Sequence, residues 1–249
     1  MKTLYSAVII AKNEAKTIGR CISSLLQVAD EVIVVLDDTS TDETHAIANK
    51  PGVKIFSKKW EGYSATKNFG IDKTSHDWII CIDADEILNN ELITSLNRLQ
   101  PKVTSVYKIN RQTYFGDYPV HFCGWFPDWN IRLFNKSWTR WNDNLVHEKL
   151  VTSQPLQSEK LDGLLEHYSF IDETHMMEKF DHYAMLRSRE WKEKGISLPY
   201  YKRWFGPCFR FIRTYFLKLG ILDGKIGFLI SKNEYILKKK EIMYFDKKG

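Results

Sequence analysis

Continuous apolar runs alternate with runs of helical period through residues 1–100. YSAVIIA (5–11) reads as a buried strand, and Ile18, Ile22, Leu25 and Leu26 then recur at helical spacing. EVIVVL (31–36) is a second buried strand, and the turn-rich DDTSTDET follows it. Within that turn Ser40 and Glu43 match an S-x-x-E capping box, which predicts a helix from there to about Asn49. VKIF (53–56) is a third strand, a helix is expected over 64–72, and DWIICI (77–82) is a fourth strand. Asn90 is the expected cap of a helix carrying Leu92, Ile93, Leu96 and Leu99. Strands and helices in this order predict a parallel sheet covered on both faces. Such sheets bind ligands at the carboxyl ends of their strands. Asp37-Asp38 and the Asp83–Glu86 cluster both stand at strand ends, so they are expected to meet at one edge.

Beyond Pro101 the pattern changes to short strand-like pieces, SVYKINR, NIRLF and VHEKLV, separated by aromatic and polar turns. This half is expected to be mixed β. A long helical period begins at Glu173, carries Met177, Phe180, Ala184 and Trp191, and ends near Gly195. Residues 200–240 interleave Trp204, Phe205, Phe209, Phe211, Tyr215 and Phe216 with Lys and Arg. The expected organisation is a catalytic domain over 1–170, with a ligand half (1–100) and a mixed half (101–170), followed by a helical, basic-aromatic region over 171–249.

Composition narrows the classes. A chain of 249 residues, 43% hydrophobic, buries a large core and is not disordered. The net charge of +5 is too small for a dedicated nucleic-acid groove, so no nucleic-acid partner is expected. Cations nevertheless outnumber acids heavily over 202–240, which suggests an acidic surface partner. Cys21, Cys81, Cys123 and Cys208 form no C-x-x-C pair, so neither a zinc site nor a disulfide framework is indicated, and a reducing cytoplasm fits. The apolar run at the start is followed at once by Lys12 and Glu14 without a cleavage signature, and reads as the first strand. No apolar run approaches the ~18 residues of a spanning helix.

The chemistry is concentrated in WIICIDADEI (78–87), where a buried strand ends in Asp83, Asp85 and Glu86. A solvated turn is the plain reading. A haloacid-dehalogenase-like nucleophile loop also begins D-x-D after an apolar strand, but Ile87 replaces its Thr or Val and no G-D-x-x-x-D follows. A dinucleotide fold lacks its glycines, since the first strand leads into AKNEA. A metal–diphosphate site fits as well, because carboxylates on a tight turn hold a hard divalent cation against nucleotide phosphates.

VIIAKNEA, ADEVIVVLDDTSTDET, GYSATKNFG and WIICIDADE, in this order, resemble the nucleotide-binding half of the inverting glycosyltransferases of family 2, which have a GT-A fold. The later GWFPDWNIRLF, VHEKL, HYS and RTYFLKLGILDG resemble a branch adding glucose to the lipopolysaccharide inner core, the β-1,4-glucosyltransferases that act on heptose. The resemblance covers roughly residues 3–230. It implies an α/β GT-A fold, a mostly parallel sheet with a mixed acceptor-side half and a helical C-terminal tail. It also implies a UDP-sugar donor, UDP-glucose in that branch, a lipid-anchored oligosaccharide acceptor, and Mg²⁺ or Mn²⁺. The expected place is the cytoplasm, peripheral on the inner face of the membrane. A protein-directed relative and a non-catalytic peripheral membrane protein are the alternatives, the latter because a basic, aromatic tail suits an anionic lipid surface.

Residue by residue, the resemblance implies that Asp37 binds uracil or ribose and that Lys67, with Asn68, faces the nucleotide phosphates. Asp83 would contact the ribose or sugar, Asp85 would ligate the metal, and Glu86 would cap the following helix. Inversion needs a base for the acceptor hydroxyl; Glu148 in VHEKL matches that acidic position. His167 in EHYSF matches a late histidine of the metal shell, and His147 is a rival for either role. Thr39 stands where many relatives have Gly after the Asp pair, which narrows the nucleotide loop.

Overall fold

The computed structural model describes residues 3–142 and 150–247. They form two compact units, one of residues up to Arg111 with Asp128–His167, the other of Gln112–Pro127 with the residues from Tyr168 onward.

The first unit begins as a βα series: β1 (Tyr5–Ala11), α1 (Ile18–Leu25), β2 (Glu31–Asp37), α2 (Thr44–Ala48), β3 (Val53–Lys58), α3 (Tyr63–Asp72) and β4 (Trp78–Asp83). The short β5 (Glu86–Leu88) and α4 (Asn90–Arg98) follow. The mixed half supplies β6 (Ser105–Phe115), β7 (Tyr118–Pro119), β8 (Asp128–Asn135), β9 (Thr139–Trp141), β10 (Leu150–Thr152) and β11 (Gln157–Phe170). The strand order is β3-β2-β1-β4-β8-β6-β11-β5. β1, β2, β3 and β4 are parallel, and β8 joins β4 antiparallel.

Alternation along the strands explains the two covered faces. Ala7 and Ile9 of β1, with Val32 and Val34 of β2, pack beside Ile18, Ile22 and Leu25 of α1 and Leu92 and Leu96 of α4. Val8, Ile10, Ile33 and Val35 point the other way, into a cluster with Ile71 of α3 and Trp141. α3 lies close on the sheet: a Cβ at Gly70 would come 2.6 Å from a methyl of Val8 and 2.9 Å from one of Val35, which only glycine avoids.

Two helix starts differ from expectation. α2 has no capping box: Ser40 is drawn off to Asn13, accepting its N–H at 3.0 Å, while Asp42 accepts the Thr44 N–H at 3.0 Å. α4 is capped by Asn89, one residue earlier than predicted; its Oδ1 accepts the N–H of Leu92 at 2.8 Å and that of Leu164 at 3.0 Å. The side chain that also ties down a neighbouring strand takes the cap.

The second unit packs α5 (Glu173–Glu193), α6 (Tyr200–Ile212) and α7 (Gly224–Asp246), with a π turn (Arg213–Leu217) and a 3₁₀ turn (Gly220–Asp223) between the last two. Its core holds Val120, Cys123, Phe170, Met176, Phe180, Ala184, Ile230 and Leu237. Met176 is the buried methionine of α5, and Met177, the residue expected there, is exposed. Asp223 fastens the aromatic loop of this unit, accepting from Tyr118 Oη at 3.1 Å and from the N–H groups of His121 and Phe122 at 3.2 and 2.8 Å. No disulfide joins the described cysteines.

Glu31, at the start of β2, joins three segments. It accepts from Ser6 Oγ at 2.6 Å, from the Ser75 N–H at 2.5 Å and from Lys54 Nζ at 2.8 Å. Burial raises its carboxyl, but the hydrogen bonds from Lys54, Ser6 and Ser75 outweigh that and lower it from 4.5 to about 2. Because the folded value is depressed, the stabilisation is full above about pH 4.5 and is lost as pH falls toward about 2. The shift amounts to about 3 kcal/mol, reduced to about 2 kcal/mol by solvent around half-exposed Lys54. Urea unfolding is therefore expected to show Glu31→Gln less stable by that amount at neutral pH, with the gap closing across the acid range. A gap independent of pH would contradict the ionic origin.

Candidate active site

The acidic turn is Asp83-Ala84-Asp85, joining parallel β4 to β5, and β5 pairs antiparallel with β11. Their register sets His167 opposite Glu86. His167 Nε2 consequently stands 3.3 Å from Asp85 Oδ2, with both side chains mostly buried. The structure thus brings together the two residues expected to hold a metal.

Asp83 and Glu86 have a different environment. Glu86 is a fully buried strand residue, not a helix cap: its Oε2 accepts the Asp83 N–H at 2.9 Å. Its Oε1 is held by a short contact from Arg132 and lies 3.4 Å from Arg111 Nη1. Arg132 also reaches Asp83 Oδ2 at 3.1 Å, and Arg111 pairs with Asp128 at 2.7 Å. Lys67 is only 1% exposed, with its ammonium 3.3 Å from Asp83 Oδ1 and 5.0 Å over the Trp141 ring. Burial alone would raise the Asp83 carboxyl, but Lys67 and Arg132 outweigh it and hold the group far below the usual carboxylate range. Burial would lower the Arg132 guanidinium; Glu86 and Asp83 raise it instead. Asp83 is therefore a permanently ionised acceptor whose position is fixed from two sides.

Lys67, expected at the nucleotide phosphates, is thus enclosed against Asp83. Asn68 has its amide engaged on the backbone of Trp141, donating to its carbonyl at 2.9 Å and accepting its N–H at 3.1 Å. α3 presents these side chains to β9 because both flank the same core cluster around Trp141.

At the end of β2, Asp37 is buried and its Oδ1 accepts both the N–H of Thr39 at 2.9 Å and its hydroxyl at 2.6 Å. Lys12 lies 3.2 Å from Oδ2. Burial raises the Asp37 carboxyl; the Thr39 bonds and Lys12 prevail and lower it. Thr39 is thus the donor that orients Asp37. The loop after β1 is tied to the same segment: Asn13 Oδ1 accepts the Thr41 N–H at 2.8 Å, and Asp42 Oδ2 accepts the Ala15 N–H at 3.0 Å. Asn13 adopts φ of 54°, a left-handed turn that asparagine tolerates. Glu148 and His147 lie outside the described residues.

Arg132, Arg111 and Lys12 were not among the site residues expected from sequence. Arg132 carried a signal nonetheless: a guanidinium between Ile131 and Leu133 in an apolar strand must find a buried partner.

Among the described residues no group of three or more His, Cys, Asp and Glu could enclose a metal. The Asp85–His167 pair nevertheless fits a divalent cation with open positions. Adjacent ligands at ~2.1 Å from a six-coordinate ion lie ~3 Å apart, and the two donor atoms are 3.3 Å apart. Nitrogen and oxygen donors together admit Mn²⁺ beside Mg²⁺.

A parallel half ending in acidic turns, continued by antiparallel strands, is the sheet of a GT-A fold. The chain belongs to glycosyltransferase family 2, whose match, described as glycosyl transferase family 2, spans residues 6–152. It is similar to an uncharacterized glycosyltransferase of Rickettsia felis, 31% identical over 244 residues covering 91% of this chain and 83% of the relative. It is 29% identical over 230 residues to the lipopolysaccharide core biosynthesis glycosyltransferase LpsC of Rhizobium meliloti, covering 86% and 82%. The crystal structure of S. aureus TarS 1–349 in complex with UDP superposes with a TM-score of 0.50 at 13% identity, over 97% of this chain and 91% of that one; this likeness bears on the fold alone. Family membership sets aside the phosphatase, dinucleotide and non-catalytic readings.

The buried charges generate a stability prediction. Arg132→Met leaves the fully buried Glu86 with only the more distant Arg111 and Asp83 with Lys67 alone, and denaturant unfolding is expected to show a loss of about 3–5 kcal/mol. Adding Glu86→Gln is expected to restore much of it, since the second change removes the stranded charge. A double variant no better than the single would contradict this account of the clamp.

Proposed function

We propose that the protein is a metal-dependent inverting glycosyltransferase that moves a hexose, glucose by its resemblance, from a UDP-sugar to an acceptor of the lipopolysaccharide inner core, at the inner face of the cytoplasmic membrane. The observation that carries the metal-diphosphate reading is the approach of Asp85 and His167 at the end of β4, beside an Asp83 held ionised. The acceptor reading is supported by the similarity to LpsC over most of both chains. The UDP reading draws on the resemblance and on the fold shared with UDP-bound TarS.

In this reading Asp37, oriented by Thr39, accepts hydrogen bonds from uracil or ribose at the mouth of β2. Asp83 accepts from hydroxyls of the ribose or sugar, and Lys67 and Arg132 keep it aimed and charged. Asp85 and His167 hold Mg²⁺ or Mn²⁺, which when bound offsets the negative charge of the departing diphosphate. Glu148 removes the acceptor hydroxyl proton as that oxygen bonds to the anomeric carbon and the bond to the diphosphate breaks, which inverts the configuration.

Asp85→Ala is expected to abolish the metal dependence of UDP-sugar binding in calorimetry while leaving the unfolding midpoint near wild type. His167→Ala is expected to weaken metal and donor affinity together. Unchanged metal-dependent binding in both variants would overturn the ligand assignment.

Glu148→Gln tests the base. It is expected to bind donor and metal normally yet transfer ~10²-fold more slowly, the scale of lost general-base assistance. If the variant transfers at the wild-type rate and His147→Ala does not, the base is His147. A screen of sugar nucleotides against a lipopolysaccharide core acceptor tests donor and acceptor directly.

A further inference from the structure

We propose that α6 lies in the surface of an anionic bilayer, with a lipid phosphate seated in a cation-lined cavity between α6 and α7. The inference deepens the lipid-linked acceptor reading and rests on it for its purpose. It is carried by an inversion in the second unit. An ordinary helix of a globular unit turns its apolar stripe inward, and α6 turns most of its large apolar side chains outward. Tyr201, Trp204, Phe205, Phe209 and Ile212 recur at three- and four-residue spacing, all exposed, with Trp204 at 67% and Phe205 at 70%. Phe216 and Leu217 in the following π turn, with Leu222 beyond it, are exposed apolar residues as well.

The side of α6 that meets α7 is mixed: Phe211 packs its ring 5.9 Å from that of Phe228 and Pro207 is buried, alongside ionic contacts. Arg210 Nε bonds Glu234 at 2.5 Å and Arg203 pairs with Asp246 at 2.7 Å. Glu234 and Glu241 are buried there, and Lys238 Nζ lies 2.9 Å from Glu241. A helix that packs one ring, Phe211, on its neighbour, spends its arginines there and leaves Trp204, Phe205 and Phe209 in water has been built for an apolar environment on the outer side. An exposed apolar patch of this kind marks an interaction site.

The charge around the patch identifies the occupant. The cavity between α6 and α7, about 290 Å³, is lined by Lys202, Arg210, Arg213 and Lys238 together with the apolar Phe209 and Ile242. Arg210 and Lys238 have carboxylate partners on α7. Lys202 and Arg213 form no ion pair among the described residues, so the cavity keeps a cationic rim beside the aromatic stripe. Cations next to exposed Trp, Tyr and Phe match the layered chemistry of a bilayer surface, phosphate outside and acyl chain beneath. A second copy of the chain would bring the same cations against each other. No helix among the described residues is long and apolar enough to cross a membrane, so the contact is interfacial.

Vesicle sedimentation with the whole protein tests this. Wild type is expected to pellet with phosphatidylcholine vesicles containing phosphatidylglycerol and to stay in solution with phosphatidylcholine alone. Trp204→Ser/Phe205→Ser/Phe209→Ser is expected to weaken binding by roughly tenfold or more, and Lys202→Glu/Arg213→Glu to remove the preference for the anionic lipid. These positions are exposed, and unchanged circular dichroism verifies that the variants fold. Equal binding to both vesicles, binding to neither, or a stripe variant that binds like wild type overturns the proposal. So does a lipid-free dimer that the stripe variant converts to monomer, because a second copy then covers α6. Transfer to a delipidated core oligosaccharide separates the two readings. Lost vesicle binding with intact transfer removes only the docking, and intact vesicle binding without transfer to any core acceptor removes only the acceptor.

Discussion

A carboxylate with no exposure to water governs the construction of the site. Glu86 sits at the start of β5 and can remain there only with a cation beside it, which Arg132 supplies from β8. Arg132 then serves Asp83 as well, and Lys67 meets Asp83 from the other side. This ties the site to the topology. β8, running antiparallel beside β4 with Leu133 opposite Ile80, carries Arg132 to the end of that strand. Removing one member of such a buried set costs far more than the set itself contributes, since the remaining charge is stranded.

The strand-end carboxylates follow one plan with one exception. Asp37 is oriented by Thr39 and balanced by Lys12, and Asp83 by Lys67 and Arg132. Each of these is matched to cations of the chain. Asp85 faces an imidazole instead. A carboxylate and an imidazole side by side form a donor pair for a cation, and the pairing follows from the register between β5 and β11.

The second unit applies the same rule about buried charge in reverse. α6 satisfies its arginines on α7 and leaves Trp204, Phe205 and Phe209 outside. Spacing alone makes α6 amphipathic. It does not say which face is inside, because that depends on what α7 offers, and α7 offers Glu234 and Glu241.

The sequence by itself determined the parallel half. Strands with apolar runs as continuous as those of β1 and β2 have no alternative to burial on both faces, and the D-x-D at the end of β4 puts its carboxylates at the carboxyl edge of the sheet. Family motifs pointed to Asp85 and His167 as partners across a wide gap in the chain. Tertiary structure decided what local reading could not. Glu86 is equally a helix cap or a buried anion until Arg132 is seen beside it, and Lys67 is a surface cation until Asp83 and Trp141 enclose it. The cap of α4 went to Asn89 because the same side-chain oxygen also accepts the N–H of Leu164, a partner remote in sequence. Apolar periodicity is written locally, whereas a charge takes its role from whichever opposite charge the fold brings within a few ångströms, and that neighbour is set by strand order and register.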